Sequence, residues 1–116
     1  MFNILNGIRV LDLTTVVLGP FATQILGDFG AEVIKIEPPG GDPIRNWRKV
    51  KNGTSLWWHS LARNKKCISL NLKTPEGRDL VKKLLTSADV VVENFRPGVL
   101  ENWGLDPKSM RRENPD

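Results

Sequence analysis

The stretch Ala88–Gly98, A-D-V-V-V-E-N-F-R-P-G, decides how the chain is expected to fold. Its three consecutive valines lack polar alternation, which predicts a central strand of a parallel sheet at Val90–Val92, covered on both faces. The polar and aromatic residues that follow lie at the strand's carboxyl end, where open α/β sheets bind ligands. Arg96 precedes a proline, which biases it towards an extended loop conformation. These residues alone favour a ligand site and an ordinary turn equally.

Strand and helix patterns alternate along the rest of the chain. Short apolar runs predict three more strands, at Ile8–Leu13, Glu32–Glu37 and Cys67–Leu72. Apolar residues at helical spacing predict helices at Phe21–Phe29, Ser55–Arg63, Pro75–Ser87 and Pro107–Glu113. Because strands that alternate with helices form parallel sheets through right-handed crossovers, the sequence predicts an α/β fold.

Each of the first three helices carries an apolar stripe that we expect to face the core. The stripes are Phe21, Ile25, Leu26 and Phe29, then Leu56, Trp57 and Leu61, and finally Leu80, Val81, Leu84 and Leu85. Thr74, followed by Pro75 and Glu76, predicts an N-cap, a proline at the first helical position and an acid in the first turn. Ser55 is expected to cap the second helix.

Composition limits the class of protein. The 116 residues carry a formal charge of +4, with 40% hydrophobic and 26% charged residues. These values fit one globular domain, or a piece of a larger one, and indicate neither disorder nor a membrane span. The first residues show no secretory signal. The single cysteine, Cys67, allows no disulfide within the chain and is compatible with a reducing cytoplasm.

The last residues predict an unfinished fold. After the helix at Pro107–Glu113, the turn residues Asn114–Asp116 should lead into a fifth strand. A parallel sheet that stopped there would leave its crossover incomplete. We therefore expect residues 1–116 to be the N-terminal part of a longer protein.

Two common kinds of ligand site are disfavoured. Glu37 ends the second predicted strand, where a dinucleotide-binding fold places a ribose-binding acid. The first strand-to-helix turn, however, has only Gly19 and lacks the G-x-G-x-x-G pattern, which argues against a nicotinamide cofactor. His59, the single histidine, has no cysteine or acid at metal-ligand spacing, so no metal is expected.

Basic residues cluster in the middle of the chain. They are Arg45, Arg48, Lys49, Lys51, Arg63, Lys65 and Lys66. Such a cluster is compatible with nucleic acid or with a smaller phosphorylated ligand. Because the aromatic residues form no stacking platform and no nucleic-acid module is recognisable, a solvated face is favoured and no nucleic-acid partner is expected.

Five sequence blocks, in order, resemble the class III coenzyme A transferases, which include formyl-, carnitine- and succinate-type enzymes. The blocks are G-I-R-V-L-D-L-T at Gly7–Thr14, G-P-F-A-T-Q-I-L-G-D-F-G-A-E-V-I-K-I-E at Gly19–Glu37, G-D-P-I-R-N-W at Gly41–Trp47, N-K-K-C-I-S-L-N-L-K-T-P-E-G at Asn64–Gly77 and V-V-E-N-F-R-P-G-V-L at Val91–Leu100. The related α-methylacyl-CoA racemases share several blocks, but the third and fifth are more similar to the transferases.

The resemblance implies a Rossmann-like domain that binds coenzyme A or acyl-CoA, in a subunit that interlocks with a second copy. Residues 1–116 would form the N-terminal part of the large domain, without the catalytic segment or the second domain. Matching motifs place the coenzyme contacts at Leu70, Lys73, Asn94 and Phe95. Lys73 is expected to meet a phosphate, while Asn94 and Phe95 hold the adenosine end.

Arg96 is the expected additional phosphate partner, with a salt bridge inside the protein as the alternative. Three positions depart from the family pattern, because Thr15 and Val17 stand where some relatives have His and Gln, and Pro38 where some have Arg. These departures leave the acyl specificity open.

The implied reaction moves coenzyme A from an acyl thioester to a carboxylic acid acceptor. In the family an aspartate attacks the thioester to form an anhydride, and coenzyme A returns to give an aspartyl thioester. That aspartate lies beyond the region corresponding to Asp116, so no catalytic residue is expected in this chain, which alone should be inactive. A racemase-like member or a non-catalytic nucleotide- or partner-binding remnant are the alternatives.

Overall fold

A computed structural model of the chain describes residues 3–115. Its strands are β1 (Arg9–Asp12), β2 (Glu32–Glu37), β3 (Val50–Lys51), β4 (Thr54–Ser55), β5 (Lys65–Ser69) and β6 (Val90–Val92). Four of them form a parallel sheet in the order β5-β2-β1-β6, while β3 and β4 form a small antiparallel pair. The predicted α/β fold with a parallel sheet is therefore confirmed.

The described residues also form five α-helices and one short 3₁₀ helix, of which the last two helices follow β6. They are α1 (Leu18–Asp28), the 3₁₀ helix (Pro43–Asn46), α2 (Leu56–Leu61), α3 (Pro75–Leu85), α4 (Val99–Asn102) and α5 (Pro107–Glu113). Ser55 and Thr74 cap α2 and α3 as predicted. The Ser55 hydroxyl accepts hydrogen bonds from the amides of Trp57 and Trp58, and the Thr74 hydroxyl accepts one from Gly77.

Two strand predictions need correction. The predicted strand Cys67–Leu72 starts two residues earlier, because the Lys65 side chain is buried against Asp12 and continues the pairing with β2. It also ends three residues earlier, at Ser69, because Asn71 turns the chain. The valine strand β6 has the predicted bounds but lies at the edge of the described sheet, paired with β1, and Val90 is 39% exposed. The end of the predicted turn, Asp116, lies outside the described residues.

One face of the sheet is apolar. Leu11, Leu13 and Ile36 project from it and pack against Val81 and Leu85 of α3. These side chains are all at least nine-tenths buried, and burying a side chain of this size contributes about 1.5–3 kcal/mol. This face anchors α3 beside the carboxyl ends of the strands.

The opposite face carries buried charges. Lys65 Nζ lies 3.0 Å from Asp12 Oδ2, and Lys35 Nζ lies 3.0 Å from Asp42 Oδ2, with all four side chains at most 1% exposed. The Thr23 hydroxyl, on α1, donates a hydrogen bond of 2.6 Å to Asp12. Because buried charges are costly unless paired and hydrogen-bonded, this face needs polar side chains in the helix that covers it.

Helix α1 therefore buries only part of its predicted apolar stripe. Phe21 and Ile25 are exposed and Leu26 is partly buried against the sheet, whereas the fully buried residues of the helix are small or polar. The buried set is Gly19, Pro20, Thr23, Gln24 and Gly27. The expectation that the whole stripe faces the core was wrong, because the surface beneath α1 combines buried charges with the apolar side chains of Val10 and Val33.

The other two apolar stripes are buried only in part. In α2, Leu61 is buried but Leu56 and Trp57 are exposed. In α3, Val81 and Leu85 are buried while Leu80 is exposed. Within the described residues, no helix is long and apolar enough to cross a membrane.

Most of the clustered basic residues are exposed, as the favoured solvated face predicts, but several of them are paired with carboxylates. Lys65 is buried, and three others pair with carboxylates at 2.6 Å. These pairs are Arg45 with Glu37, Arg63 with Asp28, and Lys66 with Glu32. Much of the positive charge in the middle of the chain is therefore neutralised locally.

Candidate functional site

A cleft of about 390 Å³ opens at the carboxyl ends of the four parallel strands. Each strand contributes the residues at its end or in the loop that follows it, and the start of the α4–α5 connection closes one side. The lining residues are Leu13, Thr15, Ile36, Glu37, Pro38, Pro39, Leu70, Asn71, Leu72, Lys73, Phe95 and Trp103. This is the sheet edge at which α/β folds bind ligands.

The segment after β5 forms one wall of the cleft. The Leu70 amide donates to the Glu37 carbonyl at 3.0 Å, which extends the contact between β5 and β2 by one residue. The Asn71 side chain then turns the chain by accepting a hydrogen bond from the Lys73 amide at 3.1 Å. As a result Leu70 lies inside the cleft and the exposed cation of Lys73 at its rim.

The backbone around Lys73 is fixed by α3. The Arg78 guanidinium donates to the carbonyls of Leu72 and Lys73 at 3.2 and 3.1 Å. Because these contacts use carbonyl groups, they hold the loop without engaging the Lys73 ammonium. The loop therefore fixes the backbone from which the Lys73 side chain extends.

Two aromatic rings form the opposite wall. The centroids of Phe95 and Trp103 lie 5.3 Å apart and their planes meet at 72°, an edge-to-face arrangement. The Glu93 carboxylate accepts a hydrogen bond of 2.8 Å from the Phe95 amide and fixes the start of the loop. A flat, π-rich group can stack against such a wall.

Asn94 joins two of the loops that surround the cleft. Its Oδ1 accepts a hydrogen bond from the Thr15 amide at 3.2 Å, and its Nδ2 donates to the Thr15 carbonyl at 3.0 Å. The side chain thus fastens the loop after β6 to the loop after β1. Asn94 lies next to the cleft but outside the set of described residues that line it.

Arg96 has a different position from the other predicted site residues. It is exposed, and within residues 3–115 the cleft lining does not include it. Its carbonyl accepts a hydrogen bond from the Val99 amide at the start of α4. The structure therefore brings Leu70, Lys73 and Phe95 into one cleft, places Asn94 beside it, and leaves Arg96 on the outer surface.

Glu37 is held as a carboxylate at the base of the cleft. Arg45 donates two hydrogen bonds to it, at 2.7 and 2.6 Å, and the Asp42 amide donates a third at 2.8 Å. Burial alone would raise the pKa of Glu37, but these three donors together hold it below its ordinary value. The Arg45 guanidinium also lies 3.7 Å from the centre of the Trp58 ring. Glu37 is thus engaged within the protein rather than presented for a ribose.

Sequence reasoning missed Trp103 and Asn71 as cleft residues. The signal for Trp103 was its position before Gly104, at the end of a short helix that follows the E-N-F-R-P-G loop. The signal for Asn71 was its place between a strand and the capping Thr74, where Asn commonly forms side-chain turns. Among the described residues, no group of three or more His, Cys, Asp or Glu side chains is arranged to hold a metal ion.

Both the sequence and the fold of this chain resemble those of one protein family. The model of CoA-transferase family III matches residues 5–116. A succinyl-CoA–D-citramalate CoA-transferase of Chloroflexus aurantiacus is 55% identical over 113 residues, which are 96% of this chain and 28% of that protein. The beta subunit of a succinyl-CoA–L-malate CoA-transferase from the same species is 47% identical, with the same coverage.

A solved structure agrees with the sequence comparison. The crystal structure of a CAIB/BAIF family protein from Brucella suis superposes with a TM-score of 0.89 at 39% identity, covering 98% of this chain and 32% of that one. The chain spans just over a quarter of the length of the curated relatives it matches. Since the family model covers nearly every residue, the chain belongs to CoA-transferase family III.

Proposed function

We propose that the cleft at the strand ends binds coenzyme A and its acyl thioesters. The observation that supports this most directly is the convergence of Leu70, Lys73 and Phe95 on one cleft with Trp103. Coenzyme A combines an adenine ring, phosphates and a flexible pantetheine arm. The cleft offers an aromatic wall, a cation at its rim and apolar walls, one for each of these groups.

In this proposal each site residue has a separate task. Phe95 and Trp103 stack on or flank the adenine, and Lys73 neutralises phosphate charge as a point cation. Leu70 contacts the pantetheine arm. Asn94 supports the site by holding Thr15, and Arg96 meets a phosphate that extends beyond the cleft onto the outer surface.

We further propose that the site serves transfer of coenzyme A from an acyl thioester to a carboxylic acid. An aspartate carboxylate attacks the thioester carbonyl, forms an acyl–aspartyl anhydride and releases the coenzyme thiolate. That thiolate attacks the aspartyl carbonyl, the acyl group leaves as a carboxylate, and an aspartyl thioester remains. The acceptor acid then repeats the exchange. Because the thiolate leaves and returns, the coenzyme must stay bound throughout the reaction. A site that binds its adenosine end, far from the thiol, keeps it bound.

The described residues supply binding rather than a nucleophile in this scheme. The buried carboxylates Asp12, Glu37 and Asp42 are each engaged with a cation, so we expect none of them to attack a thioester. We predict that the 116-residue chain alone exchanges no acyl groups. Exchange of labelled succinate with succinyl-CoA by the purified chain would contradict this prediction.

The assembly and location remain predictions of the same proposal. We propose that residues 1–116 act as the N-terminal part of a large Rossmann-like domain, in a homodimeric transferase of the cytoplasm. Exposed apolar side chains on neighbouring surfaces of α1 and α2 support association with further protein. They are Leu18, Phe21, Leu56 and Trp57.

Calorimetric titration with coenzyme A tests the binding site. We expect the wild-type chain to bind, and Phe95→Ala to weaken binding by about tenfold, because loss of one base–aromatic stack costs about 1–3 kcal/mol. Lys73→Ala should weaken binding more at low salt than at high salt, since it removes an exposed charge. Phe21→Ala and Lys108→Ala, which change the same residue types outside the cleft, should leave the affinity unchanged. A folded wild-type chain that binds no coenzyme A would overturn the proposed site.

A further inference from the structure

The loop after β1 contains a strained residue beside the cleft. Val16 has a φ of 72°, in the left-handed region that β-branched residues rarely adopt. Such a conformation persists only where the surrounding structure holds it. Its neighbour Thr15 lines the cleft, so the conformation of Val16 affects how Thr15 is presented.

A buried ion pair holds this loop on both sides of Thr15. Both carboxylate oxygens of Asp42 lie 3.2 Å from the Val16 nitrogen and accept its hydrogen bond. Lys35, the partner of Asp42, donates from Nζ to the Thr14 carbonyl at 2.7 Å. The pair therefore grips the residues before and after the one that faces the cleft.

Asp42 is itself fixed in position. Its amide donates to Glu37 Oε2 at 2.8 Å, and its Oδ1 accepts a hydrogen bond of 3.0 Å from the Ile44 amide at the start of the 3₁₀ helix. The side chain is fully buried, so water does not compete for these contacts. An ion pair buried in this way adds little stability over an apolar pair, which suggests that it is retained for the geometry it imposes.

We propose that Asp42 and Lys35 are positioning residues of the coenzyme site. They hold Thr14–Val16 in the one backbone conformation that places Thr15 at the cleft, while Asn94 secures Thr15 from the other side. This inference rests on the proposed function, because the site they position is the proposed coenzyme A cleft. Neither residue lines the cleft, so both act through the loop.

A double-mutant cycle tests this role. Asp42→Asn keeps the side-chain size but turns an amide donor towards either Lys35 or the Val16 amide. We expect it to weaken coenzyme A binding by about tenfold. Val16 loses the contact that holds it in the left-handed region, and this conformation costs a residue other than glycine about 1–2 kcal/mol. Glycine adopts positive φ without this cost. Val16→Gly alone should therefore bind normally, and Val16→Gly combined with Asp42→Asn should recover most of the lost affinity.

The recovery separates positioning from a general structural role. Asp28→Asn, which makes the same chemical change in the exposed pair with Arg63, should not alter binding. Affinity that stays low in the double variant would overturn the proposal, as would normal binding by Asp42→Asn. If Asp42→Asn alone does not fold because Lys35 is left unpaired, Asp42→Asn is combined with Lys35→Met, and this variant should bind weakly until Val16→Gly is added.

Amide hydrogen exchange gives a readout that does not depend on the ligand. In the wild-type chain the Val16 amide should be protected, and Asp42→Asn should accelerate its exchange by about tenfold or more, since it removes a hydrogen bond to a charged group. A wild-type chain that binds no coenzyme A would overturn the proposed function, and exchange would then decide whether Asp42 holds the loop. An unprotected Val16 amide would overturn the positioning role itself.

Discussion

Asp12 is a fully buried carboxylate beneath α1, surrounded by donors. The Lys65 ammonium lies 3.0 Å away, and the Thr14 and Thr23 hydroxyls both donate to the carboxylate. Burial alone would raise the pKa of Asp12, but these partners outweigh it and the pKa lies below its ordinary value. Burial also lowers the pKa of Lys65, and Asp12 partly offsets that effect. The carboxylate therefore stabilises the fold by keeping a buried cation paired.

Asp12→Asn is predicted to lower the free energy of unfolding at pH 7 by about 3–5 kcal/mol, because it leaves Lys65 buried without its counter-charge. The folded-state pKa of Asp12 is depressed, so its contribution is present above about pH 4 and is lost as pH falls through the folded pKa. Urea unfolding at several pH values should show that the free energies of unfolding of the variant and the wild type become more similar as the pH falls. Equal stability at pH 7 would contradict this account, and Asp28→Asn, in an exposed pair, should change stability far less.

Helix α3 shows how one position without a side chain shapes the wall of the cleft. Gly77 lies in its first turn, and a Cβ atom there would stand 2.0 Å from the Asn71 carbonyl oxygen. Only glycine allows the helix to approach the loop this closely. The same loop carries Leu70 and Lys73, so the packing of α3 determines where these residues lie.

Gly77→Ala should destabilise the protein by about 1–3 kcal/mol, although alanine normally gains about 1 kcal/mol over glycine within a helix. The clash is with backbone, so the Asn71–Lys73 loop must move and coenzyme A affinity should fall. Gly27→Ala in α1 is the matched control, because its Cβ would meet its nearest neighbour at 3.4 Å. Thermal unfolding compares the stability of the two variants, and calorimetric titration compares their affinity for coenzyme A. A Gly77→Ala variant more stable than wild type would show that the loop adapts freely.

The elements differ in how far sequence alone could predict them. The strands Glu32–Glu37 and Val90–Val92 and the helix Pro107–Glu113 have local patterns strong enough to set their bounds. The orientation of α1 was not predictable, because helical periodicity shows that a stripe exists but not that the surface beneath the helix carries buried charges beside its apolar side chains. Lys65 illustrates the reason, since a lysine in sequence indicates exposure and becomes a buried residue only through its distant partner Asp12.

The candidate site was predictable at the level of its loops. Leu70, Lys73 and Phe95 follow strand ends, and the sequence blocks pointed to them. The hydrogen bonds between Asn94 and Thr15 join residues 79 positions apart, and the contact between Asp42 and Val16 joins residues 26 positions apart. No local sequence pattern encodes contacts at such separations. These long-range contacts convert separate loops into one site.

At the scale of the whole molecule, the proposed binding in the cleft is linked to folding. The cleft receives residues from the ends of all four parallel strands, so the site exists only when the sheet is complete. A ligand that binds the folded state alone stabilises it by mass action.

Coenzyme A should therefore raise the melting temperature of the chain. At a concentration about a hundred times Kd the stabilisation is about 2.7 kcal/mol. Differential scanning calorimetry should show an increase that depends on coenzyme concentration and is reduced in Phe95→Ala. An unchanged melting temperature at saturating coenzyme would contradict linkage between the site and the fold.

A coenzyme site at the strand ends is tested most directly by NMR titration with coenzyme A, with the methyl groups of leucine and isoleucine labelled. Coenzyme A should shift the cleft methyls of Leu13, Ile36, Leu70 and Leu72 and leave those of Leu18 and Leu56, on the outer helices, unchanged. Shifts confined to Leu18 and Leu56, or no shifts in the folded chain, would contradict a coenzyme site at the strand ends.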